Sequence, residues 1–352
     1  DRPKETIMLF KKPIGVTTGI LPWNFPFFLI ARKMAPALVT GNTIVIKPSQ
    51  LTPENAYVFA QIVEEVGLPA GVFNVVNGRG SVIGHELAAN PKVGMVSLTG
   101  SVSAGQQTML AAAPNITKVS LELGGKAPAI VMADADIDLA VRAIIASRVI
   151  NTGQVCNCAE RVYVDRRIKD VFIDKLLAGM KQVKAGDPSL YTDVDMGPLI
   201  DASALDSIEK KVEKAIQQGA KLLCGGHRIG DKGYFYAPTL LDEATQTMDI
   251  VREETFGPVL PVVAYSEVDE AISWANDCEY GLTSSVYTQN LDQAFRMMRS
   301  LKFGETYINR ENFEAMQGFH AGWRKSGIGG ADGKHGLEEY LQTHVVYLET
   351  QI

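Results

Sequence analysis

Short β-rich runs alternate with helix-forming segments along the first third of this 352-residue chain. The run Thr43-Ile44-Val45-Ile46 is followed by Thr52-Pro53-Glu54, which offers a helix N-cap, a proline for the first turn and an early acidic residue. We therefore predict a strand and then a helix that extends to about residue 66. The alternation continues through segments at 72–76, 81–89, 93–98 and 101–112. This rhythm predicts parallel βαβ units, which form one doubly wound half of an α/β protein.

The same pattern restarts after residue 122 and predicts a second α/β unit. Ala129-Ile130-Val131-Met132 is strand-like, and the apolar residues of 136–150 recur at helical spacing. Further strands are predicted at 161–164, 221–224, 259–264, 282–287 and 306–309, and further helices near 168–184, 201–219, 267–276 and 290–301. Between the halves, Leu123-Gly124-Gly125 allows close backbone approach, so we expect a cleft between two domains nearby.

Composition argues against several classes of protein. With 46% hydrophobic and 21% charged residues, the chain is typical of a soluble protein with enough length for two cores. Its formal charge of −6 and its lack of Lys/Arg blocks interleaved with aromatics argue against a nucleic-acid partner. The most apolar stretch, 20–39, contains three prolines together with Arg32 and Lys33, so it predicts a loop and a buried helix and no membrane span.

The four cysteines, at positions 156, 158, 224 and 278, form neither a disulfide framework nor a Cys-x-x-Cys zinc or redox motif. This usage favours a reducing compartment, so we expect the protein in the cytoplasm and expect no metal site. Because the chain begins at Asp1 without a methionine, the sequence leaves open a targeting segment upstream.

Five separated motifs point to one family. They are Pro22-Trp23-Asn24-Phe25-Pro26, Lys47-Pro48-Ser49, Leu121-Glu122-Leu123-Gly124-Gly125-Lys126, Gly153-Gln154-Val155-Cys156 and Glu253-Glu254-Thr255-Phe256-Gly257-Pro258-Val259. Their order and approximate spacing resemble the aldehyde dehydrogenase superfamily over essentially the whole chain. Within that superfamily, the run 308–330 looks most like the bacterial lactaldehyde and glycolaldehyde dehydrogenases. The resemblance implies NAD(P)-dependent oxidation of a small hydroxyaldehyde to its carboxylic acid.

The resemblance also implies the architecture. We expect a doubly wound, Rossmann-like cofactor domain at 14–124, a second α/β catalytic domain at 125–327, and a β-strand oligomerisation arm formed by 1–13 and 328–352. Family members usually carry further N-terminal residues that supply helices of the cofactor domain, and we expect that part of the fold to be missing here. The family associates through strands that match 4–12 and 344–349, so a homo-oligomer is expected, either a dimer or a tetramer.

Cys156 is the predicted nucleophile. A thiolate attacks an aldehyde carbon readily, and the resulting thiohemiacetal loses hydride to a nicotinamide ring and becomes a thioester. A free cysteine is more often structural, which is the role expected for Cys158, but the string that ends in Cys156 favours catalysis. Asn24 alone is typical of a turn. The resemblance implies that its side-chain amide and the Cys156 backbone N–H form the oxyanion hole.

Glu122 resembles the general base of the family. A carboxylate can take the proton of the water that hydrolyses the thioester, whereas a glutamate at a strand end is ordinarily a solvated charge. The adjoining Leu123-Gly124-Gly125 favours the catalytic interpretation. The presence of Glu122 also argues against the branch of the family that acylates coenzyme A, so a free acid is the predicted product.

Further residues are matched to the cofactor site. Gly100 and Ser101 follow a strand and open a helix, where backbone N–H groups can hold a pyrophosphate, although an ordinary βα turn has the same pattern. The resemblance places Trp23 at the cofactor and matches Lys47 to a lysine that contacts the adenosine ribose.

Glu254 and Phe256 resemble the pair that holds the nicotinamide ribose and limits nicotinamide placement. Without the resemblance they would be a solvated acid and a core residue. Gln50 departs from the glutamate common in NAD-preferring members, whose charge accepts hydrogen bonds from the ribose 2′-hydroxyl and repels a 2′-phosphate. NAD is the expected cofactor, and NADP is the alternative because this charge filter is absent.

Substrate preference is expected to depend on Asn157, next to the nucleophile, and on Glu314 and His320 in a C-terminal loop that contributes to the substrate mouth in this family. A polar mouth suits a hydroxyaldehyde, because unpaired buried donors and acceptors disfavour analogues that lack the hydroxyl. The alternative is that Glu314 and His320 are surface loop residues.

Three other functions stay open at this point. The first is another small-aldehyde dehydrogenase, and the second is a catalytically silent structural or binding fragment of the same fold. The third, a cysteine hydrolase, is a weak rival because none of the five histidines lies in a pairing motif with a cysteine.

The Gln50 interpretation predicts that initial rates with NAD exceed those with NADP at matched concentrations. Glutamine still accepts a hydrogen bond from the 2′-hydroxyl but repels a 2′-phosphate less than glutamate does. Steady-state rates with both cofactors check this, and a clear preference for NADP contradicts it.

Overall fold

The computed structural model of the chain describes residues 4–350, which contain fifteen strands and eleven α-helices. The predicted terminal segments 1–13 and 328–352 extend beyond this range, because residues 1–3 and 351–352 lie outside the described part.

Helices separate most of the strands from residue 16 onward. In chain order they are β1 (Glu5–Pro13), β2 (Val16–Ile20), β3 (Thr43–Lys47), β4 (Phe73–Val75), β5 (Met95–Thr99), β6 (Lys118–Glu122), β7 (Ala127–Val131), β8 (Ala159–Asp165), β9 (Lys221–Cys224), β10 (Thr239–Asp242), β11 (Val259–Tyr265), β12 (Thr283–Tyr287), β13 (Glu305–Ile308), β14 (Gly327–Ile328) and β15 (Leu341–Glu349).

The helices are short to medium in length. They are α1 (Pro26–Val39), α2 (Glu54–Glu65), α3 (His85–Ala89), α4 (Val102–Ala112), α5 (Ile137–Val149), α6 (Lys169–Met180), α7 (Ala202–Gln217), α8 (Asp249–Arg252), α9 (Val268–Asn276), α10 (Leu291–Ser300) and α11 (Gly333–Glu338). A π-helical turn, Gly80–Gly84, precedes α3 where the sequence predicts one continuous helix. Across residues 4–350, no helix is long and apolar enough to cross a membrane.

The chain divides into two compact units. The first unit contains the residues up to Leu123 with Ala315–Ala321 and the residues from Gly327 onward. The second unit contains Gly124–Glu314 and Gly322–Ser326. The domain bounds expected from the sequence, 14–124 and 125–327, remain predictions.

The first unit contains a six-stranded sheet in the order β14-β6-β5-β2-β3-β4. Its strands run parallel except β14, which pairs antiparallel with β6. The chain moves outward from β2 to β4 and then returns to the other side of β2 with β5, so the strand order reverses between β2 and β5. This reversal is the switch point of a doubly wound sheet, and it confirms the predicted α/β fold class.

Strand β2 is absent from the sequence prediction because it lacks a continuous apolar run. Its residues Thr17 and Thr18 are fully buried all the same, and the Thr17 hydroxyl donates a hydrogen bond to the carbonyl of Thr43 at 2.9 Å. Thr17 therefore satisfies its buried hydroxyl, and the β-branched side chain of threonine is favourable in a strand.

The second unit contains a seven-stranded sheet in the order β13-β12-β7-β8-β11-β10-β9. All its neighbours are parallel except β9, which pairs antiparallel with β10 at the edge. Separate apolar clusters cover its two faces, as a parallel sheet requires. Phe172 of α6 is fully buried in the cluster that includes Val141 of α5 and Val162 of β8.

The two terminal strands form a ribbon. Strand β1 pairs antiparallel with β15 of the same chain, in a register that runs from Glu5 opposite Glu349 to Pro13 opposite Leu341. The ribbon exposes large apolar side chains, namely Ile7, Leu9, Phe10, Val345, Tyr347 and Leu348.

The packing of α6 predicts unequal effects for two adjacent truncations. Phe172→Ala removes a fully buried ring and is expected to lower the free energy of unfolding by about 3–5 kcal/mol. Val171→Ala is the matched control, because Val171 is 53% exposed and its loss is expected to change stability by about 0.5 kcal/mol or less. Urea unfolding of both variants checks this, and equal shifts in the midpoint contradict it.

Candidate active site

In the first unit, the predicted site residues follow the carboxyl ends of parallel strands. Trp23 and Asn24 lie between β2 and α1, Lys47 ends β3, Ser101 follows β5, and Glu122 ends β6. The strand register places Ile20 between Lys47 and Leu98, and Thr99 beside Glu122. Because carboxyl ends of parallel strands share one edge of a sheet, residues from four distant motifs lie along that edge.

A cavity of about 450 Å³ lies at the switch point between β2 and β5. It is lined by Ile20, Leu98 and residues from the helices on that side of the sheet, including His85, Ser101, Ala104 and Gln107. Ser101 is the N-cap of α4, and its hydroxyl accepts a hydrogen bond from the Ala104 N–H at 3.2 Å. The positive end of the α4 dipole therefore faces a mostly apolar cavity that also contains the polar side chains of Ser101, Ser103 and Gln107, and a helix N-terminus of this kind suits a phosphate group.

Lys47 lies nearby on β3. Its side chain is buried and its ammonium donates to the carbonyl of Pro48 at 2.9 Å. Burial lowers the pKa of Lys47 below its ordinary value. Gln50, two residues after Pro48, is exposed in the loop before α2.

Glu122 is almost fully buried, with 4% of its surface exposed. Its Oε2 accepts a hydrogen bond from the Thr99 hydroxyl at 2.9 Å. Burial alone would raise the pKa of Glu122, but Lys33, Arg32 and His320 together with the Thr99 hydrogen bond lower it below its ordinary value. The carboxylate is therefore ionised at neutral pH and able to accept a proton.

Two cations on α1 create this environment. Lys33 is buried and donates to the Ser97 hydroxyl at 2.7 Å, and burial lowers its pKa although Glu122 opposes the change. Arg32 forms a two-pronged ion pair with Asp332, in which Nε donates to Oδ1 at 3.1 Å and Nη2 donates to Oδ2. The motifs in the sequence predict no role for Arg32 or Lys33. Their occurrence inside the most apolar stretch was the available signal, since buried charges need partners.

In the second unit, Cys156 follows a strained turn. Asn151, Thr152 and Gly153 all have left-handed backbone conformations, with φ of 46°, 59° and 74°. Such a conformation is costly for a β-branched residue such as Thr152. It is held by the Thr152 hydroxyl, which donates to the Gly197 carbonyl at 3.0 Å, and by Gln154, whose Oε1 accepts from the Ile200 N–H at 2.9 Å.

The backbone of Cys156 is closely packed. A Cβ atom added to Gly125 would lie 2.4 Å from the Cys156 carbonyl oxygen, so this position needs glycine for close approach. Cys156 itself is half-buried. Cys158 is buried, its thiol donates to the Val155 carbonyl at 2.9 Å, and burial raises its pKa to about 12. A thiol in that state is a poor nucleophile, which agrees with its predicted structural role.

Glu254 and Phe256 lie in the loop between α8 and β11. Glu254 Oε1 accepts a hydrogen bond from the Gly125 N–H at 2.8 Å, and burial, together with the charge of Glu160, raises the pKa of Glu254 to about 7. Phe256 has a left-handed backbone with φ of 55°. The Leu123-Gly124-Gly125 motif thus contacts the Glu254 motif through its second glycine.

The predicted substrate residues are partly brought together. Asn157 Nδ2 donates to Glu314 Oε2 at 2.5 Å, and both residues belong to the second unit. The carbonyl of Asn157 also accepts from the buried Thr283 hydroxyl at 2.7 Å. His320 belongs to the first unit, where it is buried, pairs through its backbone with Ala331 and lowers the pKa of Glu122. The alternative that His320 is a surface residue is therefore wrong.

Comparison with known proteins places the chain in one family. The model of the aldehyde dehydrogenase family matches residues 1–346. Lactaldehyde dehydrogenase of Escherichia coli (strain K12) is 68% identical over 350 residues, which cover 99% of this chain and 73% of that relative. A crystal structure of lactaldehyde dehydrogenase from Escherichia coli matches with a TM-score of 0.98, again at 68% identity, over 99% of this chain and 73% of that chain.

A more distant structure has the same fold. Betaine aldehyde dehydrogenase from Staphylococcus aureus, solved in complex with NAD+, is 38% identical with a TM-score of 0.96, over 100% of this chain and 70% of that chain. The predicted family and fold are confirmed. The chain belongs to the aldehyde dehydrogenase family and is an oxidoreductase that converts an aldehyde to a carboxylic acid with NAD or NADP.

Proposed function

We propose that this enzyme oxidises a small hydroxyaldehyde, either lactaldehyde or glycolaldehyde, to the corresponding acid. The name of the 68% identical relative supports this substrate class. Asn157 directly follows the nucleophile in the chain, and its hydrogen bond to Glu314 supports the same substrate class independently. The amide of Asn157 holds the carboxylate of Glu314, and this carboxylate offers an acceptor to a substrate hydroxyl, an interaction that an aldehyde without a hydroxyl does not make.

Cys156 is the proposed nucleophile. Its sulfur forms a bond to the aldehyde carbon, and the oxyanion that develops is stabilised by the Cys156 N–H and the Asn24 amide, roles carried over from the family. The strained turn before Cys156 and the close approach of Gly125 hold the backbone at the nucleophile in one conformation. Such preorganisation reduces the entropy lost when the substrate reaches the reactive geometry.

Glu122 is the proposed general base for thioester hydrolysis, and its environment is the observation that carries the proposal of a free-acid product. A nearly buried carboxylate that nevertheless remains ionised can accept the proton of an attacking water. Lys33 and Arg32 provide the positive charge that keeps it ionised. When Glu122 takes up the proton, the hydroxide equivalent adds to the acyl carbon, and the Cys156 thiolate leaves.

The residues of the first unit fit a dinucleotide. The cavity at the switch point is lined by Ser101 at the positive end of α4, which suits a pyrophosphate, and Lys47, Gln50 and Trp23 are proposed to contact its adenosine side. Glu254 and Phe256 are proposed to hold the nicotinamide ribose. When bound, NAD or NADP supplies the acceptor for the aldehyde hydride.

The assembly and the compartment are further proposals. The β1–β15 ribbon exposes apolar side chains on a two-stranded element, which is only marginally stable by itself, so we propose that it packs against another copy of the chain in a homo-oligomer. The cysteines of residues 4–350 are free thiols, which supports a reducing compartment such as the cytoplasm.

Glu122→Gln is expected to abolish steady turnover but leave an initial burst of reduced cofactor equal to the active sites. The amide cannot take a proton from water, so the thioester accumulates. Stopped-flow absorbance at the reduced-cofactor band checks this. Cys156→Ala is the control and must lose the burst as well, and an unchanged steady rate in Glu122→Gln removes this residue from the role.

A substrate panel tests the recognition of the hydroxyl group. We expect kcat/KM for lactaldehyde or glycolaldehyde to exceed that for propanal, and Asn157→Ala to lower the value for the hydroxyaldehyde by about tenfold while changing the value for propanal much less. Equal efficiencies for lactaldehyde and propanal in the unmodified enzyme contradict the model.

A further inference from the structure

Glu160 of β8 is a buried carboxylate to which the sequence analysis and the proposed function assign no role. Only 1% of its surface is exposed. Two cations contact it, because Lys126 Nζ lies 2.6 Å from Oε2 and Arg148 Nη1 lies 2.8 Å from Oε1. Two backbone N–H groups also donate to it, those of Thr255 at 2.8 Å and Phe256 at 3.1 Å. The carboxylate therefore accepts four hydrogen bonds in an almost fully buried site.

These four donors come from three separate segments. Lys126 ends the glycine motif, and its ammonium also donates to the Thr255 hydroxyl at 3.0 Å. Arg148 lies in the last turn of α5, and its guanidinium also donates to the carbonyls of Gly153 at 2.5 Å and Ala159 at 2.8 Å. Gly153 is the last residue of the left-handed turn before the nucleophile. A single carboxylate thus links the nucleophile loop, the glycine motif and the loop that contains Glu254 and Phe256.

The loop at Phe256 needs such a support. Its left-handed backbone is strained for a residue with a bulky side chain, and strained conformations persist only when the surrounding structure fixes them. The two consecutive N–H groups bound by Glu160 belong to Phe256 and to the residue before it. Lys211 donates to the Glu254 carbonyl from the other side.

We propose that Glu160 is a positioning residue for the cofactor, because its buried carboxylate fixes the backbone of Thr255 and Phe256 and thereby the side chains of Glu254 and Phe256 that face the nicotinamide ribose. This inference rests on the proposed function of Glu254 and Phe256. Glu160 does not touch the reacting atoms. Its loss is therefore expected to weaken cofactor binding more than it changes the reactivity of the Cys156 thiol.

The charge of Glu160 affects the pKa of Glu254, so the proposed role can be tested by the pH dependence of cofactor binding. Burial is the main reason that the pKa of Glu254 is raised to about 7, and the charge of Glu160 is the next cause, while Lys126 and Lys211 oppose it. The titratable and charged groups that interact with Glu254 are Glu160, Lys126, Lys211, Arg148, Cys158 and Tyr280. Neutralising Glu160 therefore lowers the pKa of Glu254, because a repelling negative charge is removed.

The test is Glu160→Gln, with reduced and oxidised cofactor titrated against the unmodified chain and the variant by fluorescence at pH values from 5.5 to 8.5. In the unmodified chain, affinity is expected to fall as the pH drops through about 7, because Glu254 becomes protonated and loses an acceptor. In Glu160→Gln, the Kd for cofactor at pH 8 is expected to rise about tenfold, since hydrogen bonds to a charged acceptor are lost. The inflection is expected to move to lower pH.

Two further variants control the experiment. Glu209→Gln neutralises a partly exposed glutamate of the same unit, paired with Arg228, and must leave affinity and inflection unchanged. Glu160→Asp keeps the charge but withdraws the carboxylate from the two N–H groups. This variant tests the positioning role if Glu160→Gln does not fold. We expect Glu160→Asp to weaken cofactor binding while iodoacetamide alkylates Cys156 at the rate of the unmodified chain.

The outcomes separate the two levels of the proposal. Weaker binding with a shifted inflection in Glu160→Gln, or weaker binding with normal alkylation in Glu160→Asp, supports positioning. A folded Glu160→Gln with unchanged affinity and inflection overturns it, and weaker binding without a shift assigns Glu160 a purely structural role and also overturns it. If the unmodified chain binds neither cofactor, the proposed function fails and the inference fails with it.

Discussion

The charge of a buried carboxylate must be compensated by cations and hydrogen-bond donors. In the second unit, the groups that compensate Glu160 also hold several segments of the chain together. Removing an ion from water is costly unless cations and hydrogen-bond donors replace the solvent completely. Lys126, Arg148 and two backbone N–H groups do so. Since these donors come from three separate segments, satisfying one charge also sets the relative placement of the glycine motif, the end of α5 and the loop that contains Thr255 and Phe256. The hydrogen bonds that compensate the charge of Glu160 are therefore the same bonds that position these segments.

In the first unit, the order and direction of the strands bring the site residues together. Parallel strands bring their carboxyl ends to one edge, so residues distant in sequence meet there without any specific attraction between them. Glu122 then acquires its properties from α1, because Lys33 and Arg32 oppose the effect of burial on its pKa. The same helix that supplies hydrophobic residues to the core, such as Ile30, thus supplies the charge that the carboxylate requires.

The α/β fold class and the family could be predicted from the sequence, because hydrophobic periodicity and short motifs are local properties of the chain. The sequence prediction missed β2, whose buried threonines resemble a polar loop, and the π-helical turn before α3. It also missed Glu160, because a glutamate four residues after Cys156 shows its importance only when Lys126 and Arg148 lie beside it. The left-handed turn at Thr152 was equally hidden, since threonine is among the residues least expected there. Long-range contacts decided each of these cases.

The nucleophile and the residues proposed to recognise its substrate are held by different means. The backbone around Cys156 is restrained by main-chain packing against Gly125, whereas Asn157 and Glu314 meet only through their side chains. A change of either polar side chain is therefore expected to affect substrate recognition while the backbone at the nucleophile keeps its conformation. We therefore expect replacements at these two positions to change which aldehyde is preferred more than they change the oxidation step.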